Sequence, residues 1–320
     1  MYHKEQIKRN TYIIMLLTRL PLWTITLALP VLALTCGTPA LAQEDGLTVT
    51  GAMRLRYEAI DGQPRAGFNT SDELVNLRTN ILAEYRKDNV RIGVELFDSR
   101  VWSDNAGTPV STNEVNAFEP VQAYVAADFD GALGKGTRLT LTAGRMTLNL
   151  GSRRLVAADD YRNTTNGYTG LRADLSAPQG WKATLIYTLP QVRLPDDVDG
   201  IRDATVRLDR ESFDLVLWGG QVSKTKAMGS ATAELSYFHL GERDAPGRPT
   251  RDRSLDTFGG RIIADPRAGK FDYEVEACYQ TGHVSGSLAP TAIRHGLVAS
   301  FIHADVGDRF GSPWEPPLSI

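Results

Sequence analysis

The chain has 320 residues, 42% hydrophobic and 23% charged, with a formal net charge of −3. That composition excludes a disordered chain and a bundle of apolar helices, and nothing in the charge suggests a nucleic-acid partner. It does not separate a soluble β-protein from a membrane barrel, because the lumen face of a barrel is polar; the pattern along the chain has to do so.

The first 42 residues read as an export signal. Lys4, Lys8 and Arg9 precede an apolar run from Leu22 to Leu34, and Thr38-Pro39-Ala40-Leu41-Ala42-Gln43 follows, so cleavage is predicted after Ala42. Arg19, Pro21 and Pro30 interrupt the run and leave no uninterrupted membrane-spanning length. Met15 is an alternative start. Thr35 before Cys36 does not fit a lipoprotein signal, so no lipid anchor is expected, and Cys278 is the one cysteine left in residues 43–320. An exported chain of this kind has no disulfide framework and no thiolate metal site, so its stability has to come from a large hydrogen-bonded architecture. Cleavage removes four basic residues and one acidic one, taking the charge from −3 to −6.

From Leu47 the odd positions Leu47, Val49, Met53, Leu55 and Tyr57 are apolar, while the even ones include Thr48, Thr50, Arg54, Arg56 and Glu58. Such alternation is a strand with one apolar and one polar face, long for a globular sheet and right for a tilted membrane-spanning one. It recurs. Val75 to Tyr85 oppose Arg78 and Glu84; Val90 to Leu96 oppose Arg91 and Glu95; Val121, Ala123, Val125 and Phe129 oppose Gln122, Tyr124 and Asp128. Further segments lie around Leu141, Leu171, Leu185, Leu215, Leu235, Ile262 and Val275, and a last clear one runs from His295 to His303. About twelve strands result, with no amphipathic helix competing.

The connections alternate in length. Long polar segments at 61–73, 103–115, 151–167, 190–208, 241–253 and 281–290 are separated by short ones at 87–89, 130–135, 177–180, 223–229 and 265–270. A β-sandwich has no reason to do this, whereas an outer-membrane barrel has extracellular loops at one rim and periplasmic turns at the other. Tyr57, Tyr85, Trp102, Phe129, Trp181, Phe271 and Tyr279 recur near strand ends, as an interfacial girdle would. The fold class expected is all-β, an antiparallel transmembrane β-barrel of the outer-membrane type, occupying 43–320 as one domain. After Phe301 the glycines and prolines read as a turn, and Leu318 to Ile320 as the start of another strand. The barrel is therefore expected to be incomplete at its C-terminus, the alternative being closure with about twelve strands.

Parity puts Arg54, Arg56, Arg78, Arg172 and Arg261 on the lumen face, with Arg91 beside them and Glu58, Glu84, Glu95 and Asp174 as neighbours. Arg145 is the exception. Counting from Leu139, Leu141 and Ala143 it would point at lipid, where a charge near the midplane costs about 2–4 kcal/mol. A bulge at Gly144 is predicted instead, turning Arg145, Thr147 and Asn149 to the lumen and Met146 and Leu148 to the lipid. The acidic segment Pro195–Asp203 lacks the end ligands of an EF-hand and reads as a solvated loop. The histidines show no metal spacing, and no cofactor is expected.

Between Gly144 and Leu175 an arginine-rich segment joins two strands. The order Gly144-Arg145, Leu148, Leu150-Gly151, Arg154-Leu155-Val156, Arg162-Asn163, Tyr168 and Gly170-Leu171-Arg172 resembles the alginate-export family of bacterial outer-membrane barrels, and the flanking strands fit over about 47–320. The resemblance implies a monomeric barrel of about eighteen strands, of which this chain would supply about twelve, with an arginine-lined lumen that passes an anionic polysaccharide passively. Arginine suits that task because its planar fork meets carboxylates bidentately and stays charged. The expected substrate-binding residues are Arg54, Arg56, Arg78, Arg91, Arg145, Arg154, Arg162, Arg172 and Arg261. The expected partners are an anionic polysaccharide or oligosaccharide such as a polyuronate, outer-membrane lipid and lipopolysaccharide, and periplasmic export components. Two rivals stand beside this reading. One is a general or small-anion porin; the other is a barrel enzyme, which would need a paired Ser and His at the rim, and Ser285 and His283 are expected to alternate faces.

Overall fold

Strands that alternate in polarity have no hydrogen-bond partners within themselves, so in lipid they are stable only side by side. The computed structural model describes residues 45–105, 107–158, 161–267, 270–309 and 317–319, and the predicted export signal at 1–42 lies outside them. They form one antiparallel sheet whose strands follow chain order: β1 (Gly46–Ile60), β2 (Asp72–Lys87), β3 (Val90–Trp102), β4 (Asn116–Asp130), β5 (Arg138–Met146), β6 (Tyr168–Ala177), β7 (Trp181–Pro190), β8 (Leu215–Met228), β9 (Ala231–Glu242), β10 (Ser254–Ala264), β11 (Phe271–Ser285), β12 (Arg294–Arg309) and β13 (Pro317–Ser319). Twelve long strands and a three-residue thirteenth match the expected count. β1 and β13 are the two ends of the order. The one α-helix among the described residues is α1 (Val198–Arg202), and no helix there is long and apolar enough to cross a membrane.

The expected alternation of connections holds throughout. Segments 61–71, 103–115, 147–167, 191–214, 243–253 and 286–293 lie at one rim, and 88–89, 131–137, 178–180, 229–230 and 265–270 at the other. The wall is inside out relative to a soluble domain. Met53, Leu171, Leu185 and Ile302 are 75%, 61%, 63% and 77% exposed, while Arg56, Asn76, Glu95 and Thr184 on the opposite face are at most 9% exposed. So large an apolar surface is stable only against lipid. The aromatic residues of the expected girdle, Tyr57 to Tyr279, are all exposed on that outer face.

The sheet is strongly curved. Across a flat sheet β1 and β11 would stand about 48 Å apart, at roughly 4.8 Å per strand. Arg162 and Arg154, eight residues apart in one loop, nevertheless contact Arg54 of β1 and Glu276 of β11 respectively. Those eight residues would have to be fully extended, with all three side chains stretched in line, to bridge a flat sheet, whereas Val156 among them turns back to pair with Leu150. The polar face is therefore the concave, inner side of the curved sheet, which among the described residues is not closed between β1 and β13, and the loop 147–167 lies within that lumen side.

Three expectations are corrected. The pairing of β5 with β4 and β6 runs without a register shift through Gly144, so the predicted bulge is not there. Gly144 instead takes a φ of 121°, and a Cβ on it would stand 2.3 Å from the Ala123 carbonyl oxygen, so only glycine fits. Met146 and Leu148 do not face lipid. They are 3% and 0% exposed, packed with Leu150, Val156, Tyr168, Ile186, Leu217 and Phe238 on the inner side of the wall. Second, Val121 does not continue the apolar face of β4 but sits in a register shift, between the pairs Glu95–Gln122 and Leu96–Pro120. Third, Ser285 and His283 stand two residues apart on β11, a spacing that shares a face rather than alternating. Ser285 is buried with its N–H donating to the Arg251 carbonyl, and His283 is exposed.

Replacing Leu148 by Ala should cost about 2–4 kcal/mol, the range for a fully buried leucine. Urea unfolding in lipid vesicles, followed by intrinsic fluorescence, would show a lower midpoint. An unchanged midpoint would mean that the loop is not packed on the wall.

Candidate functional site

The segment 147–167 enters the lumen because its sequence carries three kinds of anchor in order. Leu148, Leu150 and Val156 form the apolar root, with Leu150 and Val156 bridged backbone to backbone. Next, Ser152 donates to Glu276 at 2.7 Å, and Arg154 pairs with Glu274 at 2.7 Å and with Glu276, both carboxylates on the inner face of β11. Finally the backbone carbonyls of Tyr161 and Arg162 accept from the arginines of β1 and β2. Arg56 donates to Tyr161 O at 2.9 Å, Arg78 to Arg162 O at 3.3 Å, and Arg54 to both carbonyls. The Arg56 guanidinium also lies over the Tyr161 ring, 5.4 Å from its centroid.

The tip is buried as well. Asn163 is fully buried, with its amide nitrogen 2.8–3.1 Å from the carbonyls of Leu77, Arg100 and Glu114. Arg193 links three loops by donating to Thr112 O, Asn113 Oδ1 and Asn166 Oδ1. Around the middle of the loop, Arg153, Arg154, Leu155, Tyr161, Arg162 and Tyr168 line a compartment of about 560 Å³. An adjoining, more apolar cavity of about 340 Å³ shares Leu155, Asn166 and Tyr168 and reaches Leu217, Phe238 and Gln280.

The structure disperses the other arginines around the wall. Arg91 pairs with Asp128 at 3.3 Å, Arg172 with Asp174 at 2.6 Å, and Arg261 with Glu234 at 3.1 Å and Glu274 at 2.8 Å. Arg145 meets Glu119, Glu211 at 2.7 Å and the carbonyls of Pro120 and Asp209. Its charge is thus met not by a register shift but by the loop 191–214 folding over it. Arg54, Arg56, Arg78, Arg154 and Arg162 converge on the inward loop. Arg153, Tyr161, Arg193 and the β11 pair Glu274 and Glu276 are the contributors that sequence parity alone did not single out. Glu274 and Glu276 alternate with Tyr273 and Val275, so their lumen position was readable; their pairing with a segment 120 residues away was not.

An antiparallel sheet with an apolar outside, a polar inside and a cation-bearing loop across its lumen defines a membrane transport barrel. The chain matches the family model described as alginate export over residues 46–320, and it belongs to that family. Membership supports an outer-membrane channel for polysaccharide export, within a family of transport proteins rather than enzymes. No curated protein matches the chain.

The loop 191–214 is fixed by a group sensitive to pH. Asp209 is buried; its Oδ1 accepts from Asn116 at 2.7 Å and from the Leu194 N–H at 2.9 Å, and its own N–H donates to Glu119. Burial, and then the Glu119 charge, raise the Asp209 carboxyl from 3.8 to about 7. A carboxyl raised in the docked loop holds a proton that the released loop gives up, so docking weakens as pH rises from the ordinary value through about 7. Asp209→Asn keeps Oδ1 as an acceptor and removes the charge. Hydrogen exchange of residues 205–212 should accelerate between pH 5 and pH 8 beyond the intrinsic chemical rate in the wild type, and the Asn variant should lack that excess. The same excess in both proteins would contradict the assignment.

The β11 clamp is tested by Glu276→Ala, which should speed tryptic cleavage after Arg153 and Arg154 several-fold, read by mass spectrometry of the fragments. Unchanged cleavage would show that the loop stays seated without Glu276.

Proposed function

We propose that the protein is an outer-membrane channel through which an anionic polysaccharide or oligosaccharide, of the polyuronate kind, passes down its gradient, and that an export signal at 1–42 directs it there. The observation that carries this reading is the compartment of about 560 Å³ at mid-lumen, lined by Arg153, Arg154 and Arg162 together with Tyr161 and Tyr168. A polyuronate presents a carboxylate on every sugar, and arginine meets carboxylates in a bidentate geometry that a neutral glycan cannot supply. Tyrosine faces beside the cations suit sugar rings.

The lumen pairs make passage a matter of exchange. Arg154 is about one-third exposed, whereas its partner Glu274 is largely buried and Glu276 buried, so a passing carboxylate meets the open side of the guanidinium rather than the wall carboxylates. A passing carboxylate can share that open side while the wall carboxylates stay in place, and then exchange to the next arginine without leaving a buried charge unpaired. Tight binding would stall a polymer, whereas a succession of weak, replaceable pairs from Arg54, Arg56, Arg78 and Arg91 to Arg172 and Arg261 lets it move on. Arg145, clamped by the loop 191–214, serves as the anchor of that loop.

Single-channel recording in planar bilayers tests the reading. The current should be anion-selective and blocked by uronate oligomers but not by neutral oligomers of equal length. Arg153→Glu with Arg162→Glu should weaken the block by about tenfold or more, as loss of one or two charge-assisted contacts requires. A general porin would conduct without uronate block, and cation selectivity would overturn the proposal.

A further inference from the structure

The outer wall carries a polar site where a lipid-facing surface has no need of one. On β7 to β10, the register pairs Trp218 with Tyr187 and with His239, and His239 with Asp256. The adjacent residues Leu217, Phe238 and Thr257 face inward, Leu217 and Phe238 being buried beneath the lumen loop. Trp218, His239 and Asp256 therefore point out of the barrel. Asp256 accepts from the Tyr237 hydroxyl at 2.7 Å and is 2.9 Å from His239 Nδ1. The Trp218 ring lies 5.5 Å from both the Tyr237 and the His239 rings.

Above this network is a cavity of about 470 Å³, lined by Tyr187, Phe213, Trp218, His239, Ser254 and Arg243, with three carboxylates, Asp214, Glu242 and Asp252, each paired with an arginine. His239 stands three residues before the end of β9, about 10 Å along the strand, at the rim that carries the long connections. Such a depth is the headgroup level, where aromatic residues settle and charged groups cost little. Arg243 at the rim is 68% exposed, 3.5 Å from Asp214.

We propose that this cavity binds the phosphorylated sugar headgroup of the outer-leaflet glycolipid, lipopolysaccharide. The inference rests on the barrel reading, not on what the lumen carries. Its chemistry fits part by part: the Trp218 and Tyr187 faces take a sugar ring, the His239–Asp256 pair and Ser254 take hydroxyls, and Arg243 takes a phosphate. A phospholipid headgroup without a sugar would use Arg243 alone and leave the aromatic and acidic groups without a role.

Native mass spectrometry of the full chain in detergent, titrated with lipid A, dephosphorylated lipid A and phosphatidylglycerol, tests this. Lipid A should bind at least tenfold more tightly than phosphatidylglycerol, and dephosphorylated lipid A should fall between them. Trp218→Ala and Arg243→Ala should each weaken lipid A binding by about tenfold. Arg100→Ala should not, since it removes another outward ion pair, Arg100–Asp98 of β3. Should Trp218→Ala fail to fold, the exposed Arg243 decides. Equal lipid A binding by wild type and Arg243→Ala, or phosphatidylglycerol binding as tight as lipid A, would overturn the site. Because the readout is lipid binding, its failure leaves the channel reading standing, and failure of uronate block leaves the site standing.

Discussion

A chain crossing lipid has to satisfy every backbone amide within the protein, and this one does so by pairing each strand with the next in sequence. Everything else follows from that pairing. Period-two alternation then sends one set of side chains to lipid and the other to an enclosed polar space, which turns the usual core inside out. With no apolar core in the sheet itself, the larger of two buried apolar clusters forms where a loop returns into the lumen and covers Ile186, Leu217 and Phe238.

Magnitudes separate the roles of that loop's contacts. A buried leucine such as Leu148 contributes about 1.5–3 kcal/mol, while Arg154, about one-third exposed, keeps an open side next to the buried Glu276. The root of the loop is thus fixed by apolar packing, and the arginine limb by ion pairs and hydrogen bonds that leave part of the Arg154 guanidinium open. The loop 191–214 has an apolar contact of its own, Ile201 and Ala204 on Leu74, Val101 and Val115, together with Arg145 and the buried Asp209, the group that makes it sensitive to pH.

Much of the fold was legible because parity is unambiguous where a strand carries arginines on one face and leucines on the other. Arg54, Arg56, Arg78, Arg91, Arg172 and Arg261 sit on the inner face as parity required. The bulge expected at Gly144 was the misreading, because the rule that a charge avoids lipid was met there by tertiary means. Arg145 keeps its register and is covered by Glu211, a residue 66 positions later. Val121 was misread for the converse reason, since its alternation looks regular while the pairing slips around it. The candidate site was legible in its arginines and not in its partners. Nothing in the sequence of the inward loop says that Glu274 and Glu276 will hold Arg154, or that β1 and β2 will hold the carbonyls of Tyr161 and Arg162. Such contacts depend on the curvature of the sheet, which no single strand encodes.

One comparison bears most directly on the claim that a cation-bearing loop makes this lumen a path for anionic glycans. Vesicles containing the protein would be loaded with a fluorescent uronate oligomer and a neutral oligomer of equal length carrying a different dye, and the release of both followed together. The account predicts release of the uronate well ahead of the neutral glycan, with the difference lost at high salt as the arginine contacts are screened. Equal release of the two at low salt, or faster release of the neutral one, would contradict it.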